Sequence, residues 1–233
     1  IGYSAMTVNT AGGTRNVAIG NYALDALTSA DDCVAVGYAS QTTTTTGVNN
    51  TSLGAYSLDL LTSGDSNTAI GKDALTTNAT GHNNVAVGMN ALGANLATAN
   101  VAVGKDAGRE ITTGSKHTAM GHEALASCTD ADDNTAVGYN AAKLTTGNSN
   151  TAVGAYALDA NTSGNSNQAF GENALGSNTT ASGNTALGHT ALGANTTGAS
   201  NVSVGNVSLE DNTTGSYNIA VGNSALTNNT TGD

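Results

Sequence analysis

Asn16-Val17-Ala18-Ile19-Gly20 decides the fold, because the same five-residue pattern returns along the whole chain. Equivalent blocks begin at Cys33, Asn50, Asn67, Asn84, Asn100, His117, Asn134, Asn150, Asn167, Asn184, Asn201 and Asn218. The step is 17 residues, except for two of 16, from Asn84 to Asn100 and from Asn134 to Asn150. A period this short excludes the helical repeats and points to a solenoid. Numbering each copy from its Asn, position 5 is always Gly, position 4 always apolar and positions 3 and 8 always Ala or Ser. Leu fills position 9 in ten copies, and Thr, Ser, Asn, Asp and Gly dominate positions 10 to 17.

Val, Thr and Ile flanking a small residue, bounded by Gly, read as a short strand. A turn is expected at positions 5 to 7, a second short strand around positions 7 to 10, and a Thr-Thr-Gly turn to close the coil. Each copy is then one turn of a parallel β-solenoid, and the fold class is all-β. The expected organisation is a partial N-terminal coil over 1–15, then thirteen tandem repeats over 16–233 in one continuous solenoid domain. Equal positions stack in such a fold, so position 1 becomes a ladder of Asn amides bonded from coil to coil. Cys33 and His117 interrupt this ladder and read as tolerated substitutions.

Composition agrees with a thin coil. Among 233 residues there is no Trp, one Phe and no Pro, so a large globular core has no material. The absence of Pro suits a continuous hydrogen-bonded ladder. A net charge of −11 with six scattered Lys and Arg excludes nucleic acid as a partner, since phosphate binding needs clustered cations. No apolar run is long enough to span a bilayer, so no membrane insertion by this segment is expected. Two cysteines make no disulfide framework.

Alternation puts positions 2 and 4 (Val17, Ile19) on one side of the strand and position 3 (Ala18) on the other. No charge occupies positions 1 to 5, so both sides read as buried, the β-branched side toward the coil interior and the Ala side toward a close neighbour. Three aliphatics per coil are few against the entropy of ordering seventeen residues, so burial between chains is the expected remaining source of stability.

These residues resemble the head repeats of trimeric autotransporter adhesins of the YadA type. Val17-Ala18-Ile19-Gly20, with Asn16 before it and Ala23 after it, carries the likeness, with one residue fewer between the Asn and the Val. Similar Asn-Thr-Ala-Val-Gly repeats occur in phage tail fibres. The resemblance implies a left-handed β-roll, a homotrimer, and an extracellular role in attachment from a virion tail fibre or a bacterial surface. The resemblance is specific for architecture and does not name the receptor, which is unknown, with a glycan and a protein both open. The family's repeat is shorter than 17 residues, so its outer surface does not transfer. A self-assembling extracellular filament is the alternative function, and an ice-binding solenoid a remote one, because position 2 carries Thr in only six copies.

No enzyme is expected, and no catalytic, cofactor-binding or metal residue is assigned. His117 and His122 flank Thr118-Ala119-Met120-Gly121 with Glu123 adjacent, which is not a metal-ligand spacing. Asp31-Asp32 and Asp130-Ala131-Asp132-Asp133 are acidic turns of a kind Ca²⁺ uses, but without the glycine-rich calcium repeat they read as solvated loops.

Overall fold

The structure is a computed structural model that describes residues 1–9 and 11–232. It is an all-β parallel solenoid whose residues fall into two compact units, Ile1–Lys116 and His117–Asp233. The first holds β1 (Val17–Ile19), β2 (Val34–Val36), β3 (Thr51–Leu53), β4 (Thr68–Ile70), β5 (Val85–Val87) and β6 (Val101–Val103). The second holds β7 (Thr118–Met120), β8 (Thr135–Val137), β9 (Thr151–Val153), β10 (Gln168–Phe170), β11 (Thr185–Leu187), β12 (Val202–Val204) and β13 (Ile219–Val221). Within each unit every strand pairs in parallel with the next in sequence. Position falls on equal position: Ala18 on Ala35 in the first unit, Ala169 on Ala186 in the second.

The strand occupies positions 2 to 4 only. The expected second strand at positions 7 to 10 does not form. Tyr22 and Leu24, at positions 7 and 9, have φ of 63° and 51°, and Asp32 at position 17 has 58°. This pattern returns in coil after coil. The left-handed region costs an ordinary residue about 1–2 kcal/mol, which explains why Asn, Asp and Ser are common at position 17. Leu at position 9 is no natural occupant of that region. Its side chain is fully buried in nine of the ten copies that carry it, Leu226 of the last coil being the exposed one, so packing holds it there. Alternating left-handed residues curl the segment into turns, while its N–H groups still reach the next coil, as from Leu58 to Ala74 O at 3.0 Å.

The inside and outside of the strand are the reverse of expectation. Position 3 is buried in every strand, whereas positions 2 and 4 are half-buried or exposed. Volume is the reason. Leu at position 9 and the side chain at position 12 already fill the coil, leaving space opposite the strand for Ala or Ser and nothing larger. The β-branched side chains therefore face outward.

Gly at position 5 closes the strand. Gly171 has φ of 136°, and a Cβ there would lie 2.3 Å from Gly188 O of the next coil. Only hydrogen fits between stacked backbones at this corner.

Candidate attachment surface

Four columns of side chains run along each unit, and each does a different task. The first is the position-1 ladder, which is buried. Asn167 shows how a rung works. Its Nδ2 donates to Ala181 O of its own coil at 2.8 Å, and its Oδ1 accepts the backbone N–H of Asn184 at 3.0 Å. The amide thus ties the turn of one coil to the strand entrance of the next. Direct amide-to-amide bonds, such as Asn84 Nδ2 to Asn67 Oδ1 at 3.1 Å, are supplementary.

Of the two substitutions in the ladder, His117 keeps both halves of this division of labour and Cys33 keeps the donor half. Cys33 donates from Sγ to Gly47 O at 3.3 Å and its N–H reaches Asn16 Oδ1 at 2.8 Å. His117, only 1 % exposed, has Nε2 2.6 Å from Ala131 O and receives the Asn134 N–H on Nδ1 at 3.2 Å. Donating at Nε2 and accepting at Nδ1 requires the neutral ring. Burial holds the His117 pKa below its ordinary value, against the hydrogen bonds and the charges of Asp132 and Asp133 that pull the other way.

A second buried column, at position 12, is not evident in the sequence. From Asn161 onward in the second unit it is an Asn ladder: Asn178 Nδ2 reaches Asn161 Oδ1 at 2.9 Å, Asn195 reaches Asn178 at 3.0 Å and Asn212 reaches Asn195 at 3.0 Å. Elsewhere Leu27, Leu61, Ile111 and Cys128 take the same place, and this mixture hides the column. Cys128 Sγ lies 3.8 Å from His117 Nε2, and burial pushes its thiol up to about 11. Cys33 and Cys128 are both free thiols and both buried.

The third column is the outer face of the strands. Leu53 in β3 and Leu187 in β11 are each 49 % exposed, with Val17, Ile19, Met120 and Phe170 close behind. Each unit therefore carries an exposed apolar stripe along its strands.

The chain matches no family model, no curated protein and no solved structure.

The fourth column lies just past the Gly corner, at positions 6, 7, 10 and 11. In the first unit it carries four tyrosines in file. Tyr3, Tyr22, Tyr38 and Tyr56 have successive ring centroids 5.6, 5.8 and 5.3 Å apart, each meeting the next nearly edge-on. Lys72 Nζ stands 5.9 Å over the Tyr56 ring and pairs with Asp73. Past it, Gly93-Ala94 occupies positions 10 and 11, between coils that carry Thr76-Thr77 and Arg109-Glu110 there. The missing side chains leave a notch of about 370 Å³. Asp73, Asn90 and the Arg109–Glu110 ion pair (2.7 Å) line it. Beside it, burial works against ionisation of Asp106, but bonds from Asn90 and Lys105 outweigh this and hold the carboxyl below its usual range. In the second unit His122 stacks on Tyr139 at 5.4 Å and Tyr139 meets Tyr156 at 5.3 Å. The two histidines weighed as neighbours in sequence therefore serve different columns, His117 inside and His122 at this edge.

The acidic turn Asp31-Asp32 is engaged by its own chain. Arg15 grips both carboxylate oxygens of Asp32, at 2.5 and 2.7 Å, and the Thr14 N–H donates to Asp31 at 2.6 Å. These bonds keep both carboxyls below their ordinary range, the bond from Thr14 leading for Asp31 and that from Arg15 for Asp32.

Proposed function

We propose that the chain is a segment of a non-enzymatic, extracellular, homotrimeric fibre that attaches to a surface, from a phage tail or a bacterial cell. The observation that carries the reading is the apolar outer face of the strands. Along the strands Ala or Ser faces in while Val, Ile, Leu, Met and Phe face out, an apolar stripe that another chain could bury. A second and a third copy presenting the same stripe would do so symmetrically, in keeping with the closed point groups of most oligomers. The resemblance to YadA-type heads favours three chains and a left-handed roll, and it favours attachment over a purely mechanical filament. The Asn- and Thr-rich turns and the tyrosine edge then remain outside to meet the target.

Sedimentation equilibrium tests the assembly. The wild-type chain is expected at three times its 22.7 kDa mass. Val153→Asp with Leu187→Asp places carboxylates on the outer stripe, so this variant should retain its coil spectrum and sediment as monomer. A monomeric wild type, or a double variant that stays trimeric, refutes the stripe as the interface. Retention of labelled trimer on intact bacterial cells tests attachment, and uniform failure to bind refutes it.

A further inference from the structure

Six of the seven tyrosines fall into three pairs with one local grammar. The first Tyr directly follows a position-5 Gly (Gly2-Tyr3, Gly37-Tyr38, Gly138-Tyr139). The second stands two residues after the Gly of the next coil and three before an Asp. The matching stretches are Gly20-Asn21-Tyr22-Ala23-Leu24-Asp25, Gly54-Ala55-Tyr56-Ser57-Leu58-Asp59 and Gly154-Ala155-Tyr156-Ala157-Leu158-Asp159. The fold does not demand aromatic rings in these columns. Lys72, Asp73, Met89, Asn90, Glu172, Asn173 and Thr190 occupy them in other coils. Nor are the rings put away in the core: Tyr38 and Tyr139 are each 47 % exposed.

The chemistry around the pairs narrows what could lie on them. Tyr offers an apolar face and a hydroxyl, a combination suited to ligands that are apolar on one side and wet on the other. Asp59 and Lys72 both act on Tyr56 and Lys72 pairs with Asp73, while Asp159 and Lys143 both act on Tyr156 and Lys143 pairs with Glu123, so the ammonium at each site is already neutralised by carboxylates of its own chain. With each ammonium neutralised and carboxylates to spare, these sites repel anionic ligands and suit hydroxyl groups, which both donate and accept. One ring per coil also sets a spacing, close to the advance of one hexose along an extended glycan. In the first unit the file leads to Lys72 and Asp73, and Asp73 lines the Gly93 notch. Its volume falls within the roughly 300–1,000 Å³ of small-ligand sites.

We propose that this edge binds an extended neutral glycan, its sugar rings lying on the tyrosine file of the first unit and one sugar seated in the notch at Gly93-Ala94. Asp73, Asn90, Arg109 and Glu110 would meet the hydroxyls of the seated sugar. The Tyr139–Tyr156 pair of the second unit is a shorter track of the same kind. The inference rests on the attachment reading and gives its receptor a chemical class.

The assay is tyrosine emission, which has no Trp background here, during titration with soluble mannan, dextran, galactomannan and laminarin and with their monosaccharides. Saturable binding to at least one polymer is expected, tighter than to its monosaccharide. Tyr22→Ser with Tyr56→Ser should weaken it by about tenfold or more, and Tyr22→Phe with Tyr56→Phe by less. Gly93→Arg should weaken it too by closing the notch, without unfolding, since Thr76, Arg109 and Lys143 stand at the equivalent position. No saturable binding to any of the four polymers, undiminished binding by the Ser and Arg variants, or loss of oligomer mass in the Ser variant (rings covered by another copy) each overturns the proposal. Cell retention separates it from the broader reading. If wild type and Ser variant are retained equally, attachment stands and the glycan track falls.

Discussion

Replacing Asn167 with alanine removes one rung of the position-1 ladder, and its two ends suffer differently. The Asn184 N–H loses the Asn167 Oδ1 acceptor at 3.0 Å, and a buried donor left without a partner costs about 1–3 kcal/mol. Ala181 O loses the Nδ2 donor at 2.8 Å but still accepts from Asn178 Nδ2 at 3.1 Å, so that end forfeits only an ordinary bond of about 0.5–1.5 kcal/mol. The expected loss is therefore about 2–4 kcal/mol. Ser163→Ala, in an exposed turn of the preceding coil, should stay within about 0.5 kcal/mol. Urea denaturation of both variants reads the difference. A double cycle sharpens it: Asn167→Ala with Asn178→Ala strips Ala181 O of both donors, so the pair should lose at least about 1 kcal/mol more than the sum of the singles. Asn167→His should recover most of the loss, because His117 fills the same rung with an acceptor and a donor. If Asn167→Ala melts with Ser163→Ala, or if the double variant is additive, the rungs do not hold the coils together and this account of the fold fails.

The same rung at His117 should make stability depend on pH. The folded pKa is depressed, so the contribution of the neutral ring is complete above the ordinary value of 6.5 and is lost as pH falls below it. His117→Asn should flatten that limb of the melting-temperature profile, and a variant as pH-sensitive as wild type counts against the neutral ring. Both thiols should resist iodoacetamide in the folded protein, Cys128 most of all with its pKa near 11, and should react in urea. Mass spectrometry showing rapid native alkylation would contradict their burial. Gly171→Ala forces a Cβ against Gly188 O and keeps φ at 136°, where strain alone costs about 1–3 kcal/mol. A melting temperature equal to wild type would show that the corner is looser than described.

How much of this could be read from the residues depended on whether a column was uniform. Position 5 is Gly throughout and position 1 nearly always Asn, and stacking turns such uniformity directly into parallel strands and a ladder. Position 12 was opaque because Leu27, Cys128 and Asn161 share no chemistry, only a place in the interior. The left-handed turn at Leu24 was hidden because Leu is a poor guide to that conformation, and packing overrides its preference. The facing of β9 could not be settled by alternation, which says that Ala152 and Val153 point oppositely but not which one points in. Volume decides that, and the volume of the coil is set by Leu158 and Asn161 from the far wall. The tyrosine edge was legible as a recurring Gly-Tyr and Tyr-x-x-Asp grammar.

The two 16-residue coils show where the chain tolerates loss. Asn84 and Asn134 reach the carbonyls of Ala97 and Gly147, thirteen residues on, where other rungs reach fourteen. In both coils the backbone N–H of the next rung still meets the same amide oxygen, at 2.9 Å for Asn100 and 2.8 Å for Asn150. The missing residue has come out of the outer turn upstream of the capping carbonyl, and the strands have kept their alignment. A gene encoding such a chain can therefore lose a codon in a turn, or gain or drop a whole repeat, and still specify stacked coils. Change is filtered by the ladder and released at the periphery, which gives a lineage a way to lengthen its reach and revise what it touches without rebuilding what holds it up.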